Sequence, residues 1–419
     1  MALVRRSLGS VRLGLAAGCL ALAAVIAVRQ IRDAIATPEK GLDFGPIRDA
    51  AMALVHGTSV YSNHRFVYPP TAAVALLPAS IGGRGGAIDA WLIACTAGVA
   101  VAGMLSMAPW RRGIWPLLAA FAAVLMLKSD LLTDSLWIGN ISLLLAPVAV
   151  AVLLAFESGR WRAGSALLVA SLLIKPLLVP LVLLPLLRGQ WRPLLQAAVA
   201  GALLLAAAIL LVPGGGHFFA VLRFLESGGT LHGQAAVYNV SIRGLAERLG
   251  AVAWGSVARA LVLVVAVALA YRFARRPLRS GGLAAMGALL MLALLLAGSL
   301  SEDHYLLVAA PCVLTALALS AGPRSSGAAH HAGSRLTRLG RAPFALPGLA
   351  LFAFAGLALF AFPARYVGNP ATSPAGLQVR FVLAELLLAA AAAVLVARST
   401  GDQHAPPMRR PATARHPPG

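Results

Sequence analysis

The sequence predicts an all-α, polytopic membrane protein with about twelve membrane segments. Apolar residues make up 59% of the chain and charged residues only 12%, and the mean hydropathy is +0.83. A soluble domain of this length could not bury so much apolar surface. Apolar runs of about 16 to 20 residues recur along the chain, and helices of that length can cross a bilayer. Arginine clusters separate the runs, as the positive-inside rule leads us to expect.

Ten of the apolar runs are interpreted as membrane helices. They cover residues 11–28, 88–107, 113–127, 140–156, 197–212, 253–270, 281–297, 306–321, 344–360 and 382–397. The first run is either a membrane helix, held in the cytoplasm at its start by Arg5 and Arg6, or a cleaved signal peptide. The helix is the favoured interpretation. Cys19, Cys95 and Cys312 fall within these runs, so we expect packing residues and no disulfide.

Residues 163–187 form a further apolar run that has arginines on both flanks. Arg160 precedes the run and Arg188 follows it, so both flanks resemble cytoplasmic loops. A single crossing would also place two later arginine clusters outside the cell. A break at Lys175-Pro176 removes this conflict, because proline interrupts the helical hydrogen bonds. We therefore predict a short helical hairpin here, and a multi-pass protein of the cell membrane with both termini in the cytoplasm.

The membrane domain is predicted to span residues 1–398, and a disordered cytoplasmic tail rich in proline and arginine to span 399–419. The net charge of +21 would suit a nucleic-acid partner. However, the arginines flank membrane helices, so the expected partner is the lipid bilayer and not nucleic acid. With this topology, only Glu157 and Asp402 of the 14 Asp and Glu residues face the cytoplasm. The chemistry is therefore expected on the outer side.

The first outer segment is predicted to contain an amphipathic helix that lies on the membrane surface. Pro46 suits a first helical turn, and the apolar residues at 47, 50, 51 and 54 share one face. Asp43 comes just before this helix and is either a helix cap or a catalytic base. Asp49 follows Arg48 on an exposed turn, where it is either a solvated or capping carboxylate or a substrate ligand.

Other outer segments carry further candidates. Tyr68 precedes two prolines and either lines a site or only enters the next apolar run. Lys175 is an ammonium in an apolar hairpin, so it requires an anionic partner or snorkels to the interface. Arg243 can grip a phosphate with two hydrogen bonds, and His304 can donate to one. The remaining candidates are Asn239 and Ser241, which can bind sugar hydroxyls; Glu302 and Asp303, interpreted as solvated loop acids; and Asn140, interpreted as a helix cap that can also face the cleft.

Several of these pieces together resemble glycosyltransferase family 87, membrane enzymes of the GT-C architecture, over about residues 40–310. The pieces are Asp43-Phe44, Gly57, Tyr61, Phe66-Val67-Tyr68-Pro69-Pro70, GNISLLL, Lys175-Pro176 with its trailing GQWRPLL, and the run Asn-Val-Ser-Ile-Arg-Gly. DFGPI and IKPLLVPLVLLPLLRGQW are similar to actinobacterial arabinofuranosyltransferases of the family. The segment 301–305 is similar to its mannosyltransferases. The chain departs from the family at Arg48, where known members have an aromatic residue, and in a shorter loop before Tyr68.

The resemblance implies an inverting transferase that moves a sugar from a polyprenyl-phosphate donor to a cell-envelope glycan or glycolipid on the outer face. Arabinofuranose is the favoured sugar and mannose the alternative. Asp43 would be the general base, and no metal or other cofactor is expected. The residues predicted to bind substrate are Asp49, Tyr68, Lys175, Asn239, Ser241, Arg243 and His304.

Two other kinds of function are also compatible with the sequence. A multi-pass transporter or lipid flippase would show repeated halves and polar residues near the bilayer midplane. The sequence shows neither clearly, and its polar groups crowd one side of the predicted membrane. A non-catalytic family member acting as a scaffold is the other alternative, and the position of Asp43 argues against it.

Overall fold

A computed structural model describes residues 2–37, 40–110, 115–226, 239–274, 280–298, 301–321 and 374–399. Within these ranges the regular structure is helical, with one antiparallel bridge between Asn239 and Glu302. The α-helices are α1 Ala2–Ala36, α2 Phe44–Val55, α3 Pro70–Ala75, α4 Arg84–Ser106, α5 Trp115–Leu127, α6 Asp130–Ile138, α7 Ser142–Glu157, α8 Trp161–Leu172, α9 Leu183–Leu187, α10 Trp191–Leu211, α11 Phe218–Glu226, α12 Ile242–Arg248, α13 Val252–Ala274, α14 Gly282–Ala297, α15 Leu306–Ala321 and α16 Pro374–Ser399. Short 3-10 helices cover Leu77–Ser80, Ala108–Trp110, Pro176–Val182, Gly215–His217 and Asp303–Tyr305.

The predicted spans coincide with helices wherever the residues are described. The span 344–360 and the tail from residue 400 lie outside the described residues. Four described helices are long and apolar enough to cross a membrane, namely Ser10–Ala36, Arg84–Ser106, Trp191–Leu211 and Val252–Ala274. The pair Trp115–Leu127 and Leu131–Ile138, bent by 65°, would make a fifth as a broken span. The all-α membrane class is therefore confirmed, and the count of about twelve segments stays a prediction.

The helices divide into an inner and an outer group. Helices α7, α14 and α15 are apolar all round; α14 and α15 are mostly buried, and α7 has no exposed residue, so these three helices form the centre of the bundle. Helices α10 and α13 are equally apolar but leave large side chains exposed, among them Leu203, Leu210 and Val264. An apolar helix that the protein does not cover requires another apolar environment. These outer surfaces are the ones expected to face lipid.

Loops predicted on the same side of the membrane meet at the same end of the bundle. At one end Glu157 accepts hydrogen bonds from the backbone amides of Gly281 (3.3 Å) and Ala284 (2.9 Å). At the other end the backbone amide of Val60 donates to the carbonyl of Pro213 (3.0 Å). This grouping agrees with the arrangement derived from the positive-inside rule, whereas the position of the termini stays a prediction.

The break predicted in the run 163–187 is present. Helix α8 ends at Leu172, Lys175 is extended with φ −148° and ψ 123°, and a 3-10 helix begins at Pro176. The Thr71 hydroxyl donates to the Leu173 carbonyl. Since Thr71 belongs to α3, this bond ties the tip of the hairpin to the first outer segment.

Helix α2 is present, but its predicted position on the membrane surface is wrong in one respect. The apolar residues Ile47, Ala50 and Ala51 are fully buried within the protein. Helix α3 and the 3-10 helix Leu77–Ser80 pack against α2, and the Arg48 guanidinium donates to the Gly82 carbonyl at 2.9 Å. Protein therefore covers the apolar face, because the chain after α2 folds back over it.

Candidate active site

The end of α6 fixes the backbone position of Asp43. Gly139 follows α6 in the left-handed region, with φ +71°, where glycine is favoured. A Cβ atom on Gly139 would lie 2.9 Å from the Cβ of Phe44, so the two segments can approach closely only without one. The backbone amides of Gly41 and Asp43 donate to the last two carbonyls of α6, and the N–O distance is 2.7 Å in both hydrogen bonds. These carbonyls have no partner within their own helix, and the loop before α2 satisfies them.

Asn140 connects Asp43 to Lys175. Its Nδ2 donates to Asp43 Oδ2 at 2.5 Å, and its Oδ1 accepts from Lys175 Nζ at 3.3 Å. Lys175 Nζ also donates to Ser142 Oγ at 2.8 Å. With the opposite orientation of the amide, an oxygen would face the carboxylate and a nitrogen the ammonium, so the charges select this one. A carboxylate, an amide and an ammonium thus form one hydrogen-bonded chain.

The contacts of Asp43 and Asn140 test whether either side chain caps a helix, whereas the role of Asp43 as a base stays a prediction. The Asp43 side chain makes no capping hydrogen bond to α2, so the helix-cap interpretation is wrong. Asn140 is buried, and its Oδ1 accepts from the Ser142 backbone amide at 2.8 Å as the turn enters α7. The N-cap position of α7 is Ile141, so the interpretation of Asn140 as the helix cap is wrong, although its side chain binds the first amide of the helix. Its bonds to Asp43 and Lys175 place Asn140 in the charged cluster, and contact with a substrate stays a prediction.

The segment before α15 brings a second carboxylate to this cluster. The expectation that Glu302 is a solvated loop acid is wrong, because its side chain is only 28% exposed and its Oε2 lies 3.1 Å from His304 Nε2. The Tyr305 hydroxyl also donates to the Glu302 carboxylate. Lys175 Nζ lies 4.9 Å from the centre of the Tyr305 ring, within the range of a cation–π contact. Of Asp303 the structure describes no side chain.

The surroundings shift the pKa values of Asp43 and Glu302 in opposite directions. Burial raises the pKa of Asp43 and the charge of Glu302 raises it further, against the lowering effects of Lys175, His304 and Asn140. Burial would also raise the pKa of Glu302, but His304, then Lys175 and the Tyr305 hydroxyl, lower it to about 2. Asp43 is thus the stronger proton acceptor, and Glu302 stays ionised at neutral pH. Such a divergence is how paired carboxylates take different roles.

Tyr68 also belongs to the cluster. Its side chain is buried, and its backbone carbonyl accepts a hydrogen bond from the Tyr61 hydroxyl at 2.9 Å. Burial, and then the charges of Asp43 and Glu302, raise the pKa of the Tyr68 phenol well above its ordinary value. Tyr68 is therefore a neutral hydroxyl near both carboxylates, in keeping with a position that lines the site.

Asn239 and Ser241 hold the Glu302 segment in place. Both are fully buried. Asn239 Oδ1 accepts from the backbone amides of Ser241 (3.2 Å) and Ser301 (3.0 Å), and Ser241 Oγ caps α12 by accepting from the Gly244 amide (3.0 Å). These bonds give both residues a structural task. Direct contact with sugar hydroxyls stays a prediction.

Two predicted ligands make their described contacts away from the cluster. Arg243 Nε pairs with Glu247 Oε1 at 2.8 Å along one face of α12, and its side chain is 41% exposed. Asp49 is exposed and accepts a hydrogen bond from Asn63 Nδ2 at 2.8 Å. The predicted set therefore divides: Asp43, Tyr68, Lys175 and His304 converge, and the other four do not form part of the charged cluster.

The sequence interpretation missed Glu302 and Tyr305 as members of the site. One available signal was position: the polar run Ser301–Tyr305 is too short to extend far between two apolar helices, so its acid could not move freely into water. As to metals, no group of three His, Cys, Asp or Glu side chains among the described residues is arranged to hold an ion.

Comparison with known proteins shows the family to which this chain belongs. The model of glycosyltransferase family 87 matches residues 66–300, more than half of the chain. That range includes Tyr68, Asn140 and Lys175, whereas Glu302 lies two residues beyond its end and Asp43 lies 23 residues before its start. Two relatives named Alpha-(1->3)-arabinofuranosyltransferase, from Mycobacterium tuberculosis strains CDC 1551 / Oshkosh and ATCC 25618 / H37Rv, are each 27% identical over 166 residues. The match covers 38% of this chain and 38% of each relative's own length. No solved structure matches the chain.

Proposed function

We propose that this chain, which belongs to glycosyltransferase family 87, is an inverting transferase with a polyprenyl-phosphate sugar as its donor. The acceptor would be a cell-envelope glycan or glycolipid at the outer face of the membrane. Asp43 would be the general base, and Lys175 the principal cation for the donor phosphate. The proposal needs no metal or organic cofactor.

The observation that carries the proposal is the hydrogen-bonded chain from Asp43 through Asn140 to Lys175. Displacement of a sugar from a phosphate needs a proton acceptor beside the attacking hydroxyl and positive charge beside the leaving group. The Asn140 amide holds a carboxylate and an ammonium at a fixed separation. Their residues come from different elements, so only the folded bundle creates this pair.

The step balances as a single displacement. Asp43 takes the proton from the acceptor hydroxyl while the acceptor oxygen forms a bond to the anomeric carbon. The bond between that carbon and the phosphate oxygen breaks, and its electron pair leaves with the polyprenyl phosphate. Attack from the opposite side inverts the configuration, so a β-linked donor gives an α-linked product. Because phosphate is already a good leaving group, one carboxylate suffices.

Burial strengthens both charged partners in this scheme. The raised pKa of Asp43 makes it a better proton acceptor than an ordinary carboxylate, provided the pH keeps it ionised. Lys175 is half-buried, and an ammonium in such a place interacts more strongly with a phosphate than it would in water. His304, held against Glu302, would add positive charge when protonated.

Arabinofuranose is the favoured sugar, because the two mycobacterial relatives carry that sugar in their names. Mannose is the second candidate. The observation that favours it is the position of Glu302, His304 and Tyr305 within the charged cluster, since this segment is the one that resembles the mannosyltransferase members.

The test supplies the purified protein in lipid nanodiscs with polyprenyl-phosphate arabinose and polyprenyl-phosphate mannose separately, in the presence of an envelope glycan acceptor. We expect transfer from one donor and an α-linkage in the product. Asp43→Asn should lower the rate at least about 100-fold. Asp33→Asn is the matched control, since Asp33 is 57% exposed and pairs with Arg29 on α1. No transfer from either donor would overturn the proposed donor class, and full activity of Asp43→Asn would remove Asp43 as the base.

A further inference from the structure

Glu302 takes no part in the displacement described above. Its carboxylate nevertheless contacts both His304 and Tyr305 in the charged cluster. The Glu302 side chain is ionised and half-buried. Burying a charge is expensive unless it is paired, and a retained charge in such a place calls for a functional reason.

The geometry points to Glu302 as a positioning residue for glycosyl transfer: it holds His304 and holds Tyr305 beside Lys175, and its negative charge strengthens Asp43 as the proton acceptor. This inference rests on the proposed function and assigns a residue that the proposed displacement leaves unused.

The first part follows from the contacts. Glu302 Oε2 lies 3.1 Å from His304 Nε2, and the other bond to its carboxylate comes from the Tyr305 hydroxyl. The edge of the His304 ring packs on Tyr305, with ring centres 4.7 Å apart. The Tyr305 ring in turn supports the Lys175 ammonium at 4.9 Å. One carboxylate therefore orients both rings, and one of those rings lies against the cation proposed for the donor phosphate.

The backbone holds Glu302 itself in place. Residues 239 and 302 form an antiparallel bridge, and the Val240 amide donates to the Ser301 carbonyl at 2.7 Å. The buried Asn239 side chain accepts from the Ser301 amide at 3.0 Å. A residue anchored on both sides in this way can hold its neighbours within the small tolerance that catalysis requires.

The second part concerns charge. The titratable groups that face Asp43 are Glu302, Lys175, His304 and Tyr68, and Tyr305 joins them through Glu302. Among these, Glu302 has the largest effect on the pKa of Asp43 and raises it, whereas Lys175 and His304 lower it. Removing the charge of Glu302 should therefore lower the pKa of Asp43.

The experiment compares the wild type with Glu302→Gln and Glu302→Asp, and with Asp33→Asn as the control, in the same nanodiscs. Glu302→Gln should lower kcat by about 10- to 100-fold, and the acid limb of the pH profile should move to lower pH. Glu302→Asp keeps the charge and should restore the acid limb toward its wild-type position. A residue that only supported the fold would change stability and leave the pH profile in place. Wild-type kcat and an unmoved acid limb in Glu302→Gln would overturn the inference.

A second measurement does not need turnover. Infrared spectroscopy follows the carbonyl stretch of a protonated carboxyl group, and the band that disappears in Asp43→Asn identifies Asp43. In Glu302→Gln the pH at which half of that band is lost should be lower than in the wild type. An unchanged titration midpoint would contradict the role of Glu302. If the band shifts but the wild type transfers neither sugar, the electrostatic relation stands and the proposed donor class fails, so the two failures can be told apart.

Discussion

The side-chain amide of Asn140 lies 2.5 Å from the carboxylate of Asp43, at the turn where α6 ends and α7 begins. The two residues are 97 positions apart in the sequence. Because the other end of the same amide accepts from Lys175, a change at residue 140 should affect the base and the cation together. Asn140 is therefore the most informative single position for a mutational test.

Asn140→Ala should lower kcat about 10- to 100-fold, since it removes the donor to Asp43 and an acceptor of Lys175, and a lost buried hydrogen bond to a charged group costs about 1.5–3 kcal/mol. Asn140→Asp should instead move the acid limb of the pH profile to higher pH, because a second negative charge raises the pKa of Asp43. Steady-state kinetics against pH measure both effects. Asn63→Ala, at a half-buried position where the amide binds Asp49 and not the charged cluster, is the matched control. Unchanged kcat in Asn140→Ala would contradict the bridging role.

Lys175→Met should raise the donor KM more than the acceptor KM, because it removes the charge proposed to hold the donor phosphate and keeps most of the apolar stem. Lys175→Arg should also have a raised donor KM, since the planar guanidinium cannot reproduce the bonds to both Asn140 and Ser142 in a site shaped for an ammonium. Lys40→Met is the control, since Lys40 pairs with Asp89 at 3.6 Å in a partly exposed position. An unchanged donor KM in Lys175→Met would remove the phosphate-binding role.

The pH dependence of the wild type should report Asp43. Its pKa is raised above the ordinary value of 3.8, and a general base works only when ionised. The ratio kcat/KM should therefore fall about tenfold per pH unit below a midpoint that lies above 3.8. A rate that stays level down to pH 3.8 would be incompatible with Asp43 as a buried base.

The same shift has a consequence for stability with a definite sign. Between pH 3.8 and its pKa in the fold, Asp43 binds more proton in the native state than in the unfolded state, so its contribution to stability falls as the pH rises through that window. At neutral pH the ionised Asp43 side chain therefore destabilises the folded state. Asp43→Asn should therefore keep or raise Tm while it lowers the transfer rate at least about 100-fold. A clearly lowered Tm would show that the carboxylate serves the fold.

Glu157 provides a contrasting test at the far end of the bundle. Its two carboxylate oxygens accept from backbone amides at the start of α14, so this side chain caps a neighbouring helix. Glu157→Ala should lower the free energy of unfolding by about 1 kcal/mol, as the loss of a helix cap usually does, and should lower Tm. The donor KM and the pH profile should not change. A Tm equal to that of the wild type would contradict the capping role, and an altered pH profile would contradict the assignment of the site to the opposite end.

Much of the fold could be predicted from sequence for one physical reason. A helix that crosses a bilayer must be apolar over a set length, so the runs at 88–107, 281–297 and 306–321 indicate their own boundaries. The charge bias and Pro176 also predicted the break in the hairpin. By contrast, lipid and a protein interior are equally apolar, so the sequence could not show that the chain after α2 covers the face of Ile47.

The site was predictable only in part. Asp43, Lys175 and His304 stood out because charged groups beside apolar helices are costly. Asn140 as the bridge depended on the approach of α2 to the end of α6, and Glu302 depended on the contacts of Tyr305 and His304. Those contacts join distant parts of the chain, and no local pattern encodes them. Arg243 was a reasonable candidate by residue type, but its partner Glu247 one turn further along α12 engages it instead.

By itself, the sequence predicted an all-α membrane protein, the place of most of its long apolar helices and the loops that carry its acids, because hydropathy and charge act on each segment separately. Tertiary structure alone decided which acid has a raised pKa and which stays ionised beside a histidine. That difference arises from desolvation and from charges a few ångströms away, and only packing brings those charges together.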